Sequence, residues 1–156
     1  MPVYEIYKVG EPPKWEPGLD LLAEAGLSVA VIPHYNNAEG GNHDTRFCYL
    51  GEERLARMES DLPDDAFVLG VDEHTGLVLD LDGPTATVVG IGTVTVRAGG
   101  RTTVLAGGTV TTPEALRALA MVLRGRLSMD SWATLPTSDA DRKPATSRGW
   151  PTLSRK

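Results

Sequence analysis

The feature that most constrains the fold of this chain is an uninterrupted apolar stretch, LSVAVIP, at residues 27–33. A strand with one face in water alternates apolar and polar residues, whereas a strand covered on both faces is apolar throughout. The stretch therefore predicts a strand of a parallel sheet with helices on both sides. A second stretch of this kind, AFVLGV at residues 66–71, predicts another such strand.

Strand and helix patterns continue around these two stretches. Residues 3–9, VYEIYKV, alternate as a strand does. Residues 46–58 predict a helix with an apolar stripe, which Asp44 or Thr45 can cap at its N-terminus.

The C-terminal part of the ordered region predicts a β-meander followed by a helix. Four short strands with Gly-containing turns span residues 76–106. Residues 111–127 predict a helix whose first residues, Thr111 and Glu114, have capping-box spacing. Strands that alternate with helices indicate the α/β class.

The composition divides the chain in two. A length of 156 residues suits one domain, which we assign to residues 1–127. Residues 128–156 contain five Ser, four Thr and three Pro, show no apolar period and carry a net charge of +2, so that the rest of the chain carries −8. We expect this second segment to be a disordered tail.

Charge and cysteine content exclude several function classes. A net charge of −6 and a pI of about 5.0 disfavour a nucleic-acid partner. No apolar run approaches the roughly 20 residues of a membrane helix, and the N-terminus MPVYEIYK lacks the pattern of a signal peptide. Cys48 is the single cysteine, which excludes an internal disulfide and a Cys-based zinc cage. We expect a cytoplasmic protein with no membrane partner and no cofactor.

The polar loop that begins at His34 is the first candidate site. In open α/β sheets, ligands bind outside the carboxyl ends of the strands, and His34 directly follows the first apolar strand. A histidine there can accept and return a proton, because its pKa lies near working pH. The second apolar strand ends in the same way, at Asp72, Glu73 and His74, although these residues also suit a hairpin turn. A catalytic histidine and an ordinary polar loop both remain open.

Metal chemistry is a weaker alternative at the same loop. His34, His43 and Asp44 are residue types that bind zinc or manganese, and they support a metal-assisted hydrolase as an alternative. No HExxH sequence or other defensible ligand spacing is present, so we expect no metal site.

Three segments together resemble one enzyme family. PHYNNAEGGNHDTRF followed by LGEERL resembles the segment after the catalytic-histidine strand of dipeptidase E and cyanophycinase. LGVDEHTGLVLD, at residues 69–80, resembles the Gly-Ile-Asp-Glu-x-Thr-Ala stretch of cyanophycinases, and residues 86–96 resemble the segment that follows it. The order and spacing agree, and the resemblance covers about residues 1–110.

The resemblance implies a three-layer fold like that of class I glutamine amidotransferases, which is flavodoxin-like, and serine peptidase chemistry. His34 matches the triad histidine. Glu5 is our match for the triad acid, with Glu11 as its rival. The same resemblance implies a set of substrate-binding residues for a small peptide or amino-acid-like ligand, namely Asn36, Asn37, Arg46 and Glu73.

The nucleophile of the family is missing from its expected place. The family carries its serine on a Ser-Ala-Gly-Ala elbow before the triad acid, and no SxGx or GxSxG sequence occurs here. The chain is therefore expected to correspond to the C-terminal half of the family domain, truncated at the N-terminus and inactive alone. The missing strands would leave a sheet edge for self-association or for a chain that supplies the N-terminal half. A non-catalytic module that binds an amino-acid-like or peptide ligand is the alternative.

Overall fold

The computed structural model describes residues 2–128, which form a mixed α/β fold with two β-sheets. The strands are β1 (Val29–Ile32), β2 (Phe67–Val71), β3 (Thr75–Asp80), β4 (Thr85–Gly90), β5 (Thr93–Ala98), β6 (Arg101–Ala106) and β7 (Val110–Thr111). The helices are α1 (Gly51–Ser60) and α2 (Pro113–Leu123). No helix in this part of the chain is long and apolar enough to span a membrane. The predicted tail lies outside the described residues, apart from Ser128.

The larger sheet has the strand order β1-β2-β5-β6. β1 and β2 are parallel, and the remaining neighbours are antiparallel. The prediction of two apolar strands is confirmed, and β2 is buried along most of its length. β1 was predicted to be covered on both faces, but Val31 is 43% exposed. The reason is position, because β1 is the outermost strand of this sheet among the described residues.

The smaller sheet has the order β3-β4-β7, with antiparallel pairing throughout. All four strands predicted for residues 76–106 are present, but a continuous meander is wrong. After β4 the chain crosses to the larger sheet, where β5 pairs with β2 instead of β4. Strand patterns fix where strands lie along the chain, whereas the pairing partner depends on contacts between distant residues.

The strand predicted at residues 3–9 is also wrong. These residues include a π-helical turn, Glu5–Val9, that Gly10 ends with a φ of +83°. Ile6 is fully buried there, in the cluster that contains Ile32 and Met58. A seven-residue alternation with a single deeply buried side chain fits a helical turn as well as a strand, and packing decides between them. A 3-10 turn, Leu21–Ala25, follows.

Both predicted helices exist with shifted starts. α1 begins at Gly51 rather than Arg46, because three residues before it adopt a left-handed backbone. α2 begins after Thr112, whose hydroxyl accepts a hydrogen bond from the Ala115 amide, so the N-cap is one residue later than predicted.

Apolar clusters lie on both faces of the larger sheet. Alternate residues of β2 enter different clusters, because successive side chains of a strand point to opposite faces. Phe67 and Leu69 join the cluster formed with the smaller sheet and α2, whereas Val68 joins the cluster beneath α1. The larger sheet is therefore the middle of the molecule, and the loops at its carboxyl edge rest on two packed faces.

Candidate functional site at the carboxyl ends of β1 and β2

The ends of two parallel strands bring His34 and Glu73 together. β1 ends at Ile32 and β2 ends at Val71, and the two residues of interest stand two positions beyond these ends. The Nδ1 atom of His34 lies 2.9 Å from Oε1 of Glu73. His34 is thus at the carboxyl end of its strand, as predicted, although that strand is an outer one and not a central one.

Backbone hydrogen bonds hold the two loops against each other. The Tyr35 amide donates to the Val71 carbonyl oxygen at 3.0 Å, which extends the parallel pairing beyond β1. The Oδ1 atom of Asn36 accepts a hydrogen bond from the Glu73 amide at 3.0 Å. His34 itself has a left-handed φ of +49°, which turns the chain sharply at the strand end.

The loop that carries Glu73 is also fixed from the side of β5. Oδ2 of Asp72 accepts hydrogen bonds from the Thr93 amide at 2.9 Å and from its hydroxyl at 2.7 Å. The Thr75 hydroxyl donates to the Glu73 carbonyl oxygen at 3.1 Å and accepts from the Gly92 amide. Glu73 is therefore held on both sides, and its carboxylate is presented to His34 by a braced turn.

The pair between His34 and Glu73 is open to solvent, with side chains 57% and 43% exposed. An exposed ion pair contributes about 0–1 kcal/mol to stability, so this contact has little structural effect. Glu73 engages Nδ1, and Nε2 has no hydrogen-bond partner in the described part of the chain. A carboxylate at Nδ1 fixes the ring so that the Nε2 lone pair can accept a proton.

A left-handed segment packs against the backbone of His34. Phe47, Cys48 and Tyr49 have φ values of +61°, +54° and +65°. Each such residue costs roughly 1–2 kcal/mol, so the surroundings must impose the conformation. The Cys48 amide donates to the His34 carbonyl oxygen and the Phe47 amide to that of Tyr35, both at 3.2 Å. Burial raises the pKa of the Cys48 thiol, which disfavours a thiolate nucleophile beside His34.

A buried ion pair lies beneath this loop. The Arg97 side chain is 4% exposed and donates from Nε to Glu59, which is 6% exposed, at 2.7 Å. A second bond of 2.7 Å reaches Glu52. Burial opposes the charge of Arg97, but the two carboxylates outweigh it and raise the pKa of the guanidinium. Burial raises the pKa of Tyr35, whose buried hydroxyl has no hydrogen-bond partner within residues 2–128.

Glu5 does not reach His34. It is exposed on the N-terminal π-helical turn, and no hydrogen bond or ion pair joins it to the His34 ring within residues 2–128. The pKa of Lys14 is raised mainly by its hydrogen bond to Glu16, and the negative charges of Glu5 and its rival Glu11 raise it a little further. The structure therefore brings Glu73, and neither of the two predicted triad acids, into contact with the imidazole.

Of the four predicted substrate-binding residues, Glu73 contacts His34 and Asn36 binds the Glu73 amide. The side chains of Arg46 and Asn37 form their hydrogen bonds with other residues. Arg46 forms two hydrogen bonds of 2.8 Å with Asp44. Asn37 is buried, and its Oδ1 accepts from the Glu39 amide at 3.1 Å.

The N-cap residue of α1 is Leu50 and not Asp44 or Thr45 as predicted, but Asp44 still binds the start of the helix. Its Oδ2 accepts from the Glu52 amide at 2.9 Å, in the first turn of α1, although the helix starts seven residues after it. Arg46 and then this amide hold the pKa of the Asp44 carboxyl well below its usual range.

The described residues include no candidate metal site. Across residues 2–128, no three His, Cys, Asp or Glu side chains are grouped to hold a metal ion. The alternative that used His34, His43 and Asp44 as ligands therefore has no support in this part of the chain.

A cleft that the sequence did not predict lies between the N-terminal π-helical turn and α1. Arg54 and Arg57 line it from one face of α1, and their spacing of three residues was the available signal. The sequence matches no protein-family model, no curated protein and no solved structure. The evidence for function therefore lies in the geometry of His34 and Glu73 and in this cleft.

Proposed function

We propose that this chain carries the base and the orienting acid of a hydrolytic site, His34 and Glu73, and receives its nucleophile from outside residues 2–127. The observation that carries the proposal is the 2.9 Å contact between Nδ1 of His34 and Glu73, with Nε2 left open. A triad base needs this arrangement, in which a carboxylate orients the ring and stabilises the imidazolium that forms.

The side chains near His34 supply no nucleophile. Ser28 precedes β1 and so stands at the opposite end of that strand from His34. The Ser60 hydroxyl donates to the Arg57 carbonyl oxygen at 2.6 Å, at the end of α1. Cys48 touches His34 through its backbone amide, and burial keeps its thiol protonated. A nucleophile must come within about 2.6–3.2 Å of its base, which neither serine achieves.

The outer edge of β1 offers a place from which a nucleophile could come. β1 has a strand partner on one side only among the described residues. A further strand parallel to β1 would end at the same edge of the sheet as His34, because parallel strands share their carboxyl edge. This geometry supports membership of the dipeptidase E and cyanophycinase family, with its three-layer glutamine amidotransferase-like fold and its elbow serine. It also supports pairing through β1 with a second chain or with another copy.

The test begins with hydrolysis of p-nitrophenyl acetate, an ester that a reactive imidazole can attack without a serine. His34→Ala should remove the protein-dependent rate, and Glu73→Gln should lower it about tenfold, because the ring loses its orienting carboxylate. His43→Ala is the matched control, since His43 is exposed and not bound to Glu73, and it should leave the rate unchanged. A rate that is indifferent to His34→Ala would reject the base assignment.

The source of the nucleophile is tested with a fluorophosphonate probe. The chain alone should not be labelled, whereas a mixture with a family N-terminal half that carries the elbow should be labelled on the elbow serine. Stoichiometric, His34-dependent labelling of a serine in this chain alone would contradict the proposal. Stabilisation by Asp-containing dipeptides with no hydrolysis, in the mixture as well as alone, would favour a binding module instead.

A further inference from the structure

The cleft between the N-terminal π-helical turn and α1 is separate from His34 and Glu73, neither of which lines it. Its volume is about 980 Å³, and it is open to solvent. Tyr7 and Lys8 form one wall, and α1 forms the other with Arg54 and Arg57. Pockets for small ligands commonly have volumes of about 300–1,000 Å³, so the cleft has room for one.

The charges that line this cleft are not balanced. Asp44 is neutralised by Arg46 at 2.8 Å, whereas Glu52 shares Arg97 with Glu59, each at 2.7 Å, so that this group of three keeps one negative charge. Glu53 is the carboxylate left without an ion pair, among the residues that both line the cleft and are described. Three cations, Lys8, Arg54 and Arg57, line the cleft and outnumber these two negative charges.

These three cations are a large share of the unpaired positive charge of the protein. Within residues 2–128, the basic side chains that form no ion pair with a carboxylate are Lys8, Arg54, Arg57, Arg101 and Arg124. Three of these five line the same cleft, and Arg124 donates to the Ala66 carbonyl oxygen elsewhere. Residues 1–127 carry a net charge of −8, so carboxylates outnumber cations in this part of the chain.

The cationic walls are partly held in place. Arg54 donates to the Leu50 carbonyl oxygen at 3.2 Å, and its spacing from Arg57 puts both guanidinium groups on one face of α1. The Lys8 ammonium lies 4.8 Å from the centroid of the Tyr7 ring, which in turn packs on Tyr49 with centroids 5.1 Å apart. The cleft therefore combines a fixed aromatic surface with donors that match carboxylate and phosphate oxygens.

We propose that this cleft binds a small organic polyanion, whose phosphate or carboxylate groups contact Lys8, Arg54 and Arg57. Tyr7 would cover the apolar part of such a ligand. The inference does not depend on the hydrolytic proposal, because no residue of the cleft contacts His34 or Glu73 through a side chain. A protein that fails one test can therefore pass the other.

Isothermal titration of the full chain at low salt, with pyrophosphate and with citrate as separate probes, tests the proposal. At least one probe should bind saturably with one site, and the preferred probe distinguishes a phosphate ligand from a carboxylate ligand. Arg54→Gln/Arg57→Gln should weaken that binding at least about tenfold, which is about 1.4 kcal/mol. Added salt should weaken it as well, because the attraction is electrostatic.

Two further variants separate binding in the cleft from general attraction. Arg101→Gln removes one positive charge outside the cleft, on β6, and should change the dissociation constant less than about twofold. Glu53→Gln removes the cleft carboxylate that forms no ion pair among the described residues and should tighten binding, an effect that a folding defect cannot produce. Absence of saturation by both probes at millimolar concentration overturns the proposal, as does equal weakening by Arg101→Gln.

Discussion

A methyl group added at Gly70 should destabilise the protein through the residue next to His34. Gly70 lies on β2 directly under the Tyr35 ring, which is buried. A Cβ atom built on Gly70 would lie 2.6 Å from Cε2 of Tyr35 and closer still to two other ring atoms, whereas ordinary contacts are 3.4–4 Å. The ring must therefore move by about 1 Å, and it packs against Phe47 with centroids 4.4 Å apart.

The expected cost follows from these contacts. Overpacking a core by one methyl group costs about 1–3 kcal/mol, and the loss of backbone freedom in the unfolded chain returns about 0.4–1 kcal/mol. Because the ring is confined on two sides, we expect Gly70→Ala to lower the free energy of unfolding by about 2 kcal/mol. That corresponds to a fall in the melting temperature of roughly 4–8 °C for a chain of this size.

Urea denaturation followed by circular dichroism measures this difference, with Gly76→Ala as the matched control. Gly76 also lies in a strand, but a Cβ atom there would meet Val89 at 3.5 Å, an ordinary contact. We expect the control to change stability by less than about 0.5 kcal/mol. A loss below about 0.5 kcal/mol in Gly70→Ala would refute the reasoning that the Tyr35 ring cannot yield.

Two other perturbations address the charges around the loop. Arg97→Met should lower the free energy of unfolding in urea by about 3 kcal/mol, because it leaves the buried Glu59 carboxylate without its cation. The double variant Arg97→Met/Glu59→Met should recover most of this loss. A loss below about 1 kcal/mol in the single variant would contradict the reasoning. Asp44→Asn should cost roughly 0.5–1 kcal/mol at pH 7, because it weakens the cap of α1 and the pair with Arg46. Folding lowers the pKa of Asp44, so the ionised carboxylate stabilises the folded state at pH values above its unfolded pKa of about 4. The difference in the free energy of unfolding between Asp44→Asn and the parent protein should shrink as the pH falls below that value. A difference that does not change with pH would contradict the stabilising role of the Asp44 charge.

The parts of the fold that the sequence predicted are those with a local physical signal. β2 follows from its unbroken apolar run, and α2 from an apolar stripe with a threonine cap. The closeness of His34 and Glu73 was predictable for a simple reason: both follow apolar strands, and parallel strands end at one edge. The resemblance had placed Glu73 in the pocket but had assigned orientation of the ring to Glu5.

The parts that escaped prediction are imposed by distant contacts. Nothing in the types of Phe47, Cys48 and Tyr49 favours a left-handed backbone, and side chains of this size disfavour it. Their conformation is stabilised by hydrogen bonds to the carbonyl groups of residues 34 and 35 and by packing of Phe47 on the Tyr35 ring. The start of α1 differs from the prediction for the same reason, since residues 47–49 with a left-handed backbone cannot belong to a right-handed helix.

These contacts show how the position of an exposed histidine can be fixed by buried neighbours. The His34 imidazole is itself held by one solvent-exposed contact, which is too weak to orient a loop. The backbone on either side is held more firmly, since the Tyr35 amide bonds to Val71 and its ring lies against Gly70. Displacement of that ring should therefore change the geometry of the His34–Glu73 pair as well as the core. Gly70→Ala should reduce the His34-dependent rate of ester hydrolysis even under conditions where the variant remains fully folded, whereas Gly76→Ala should not.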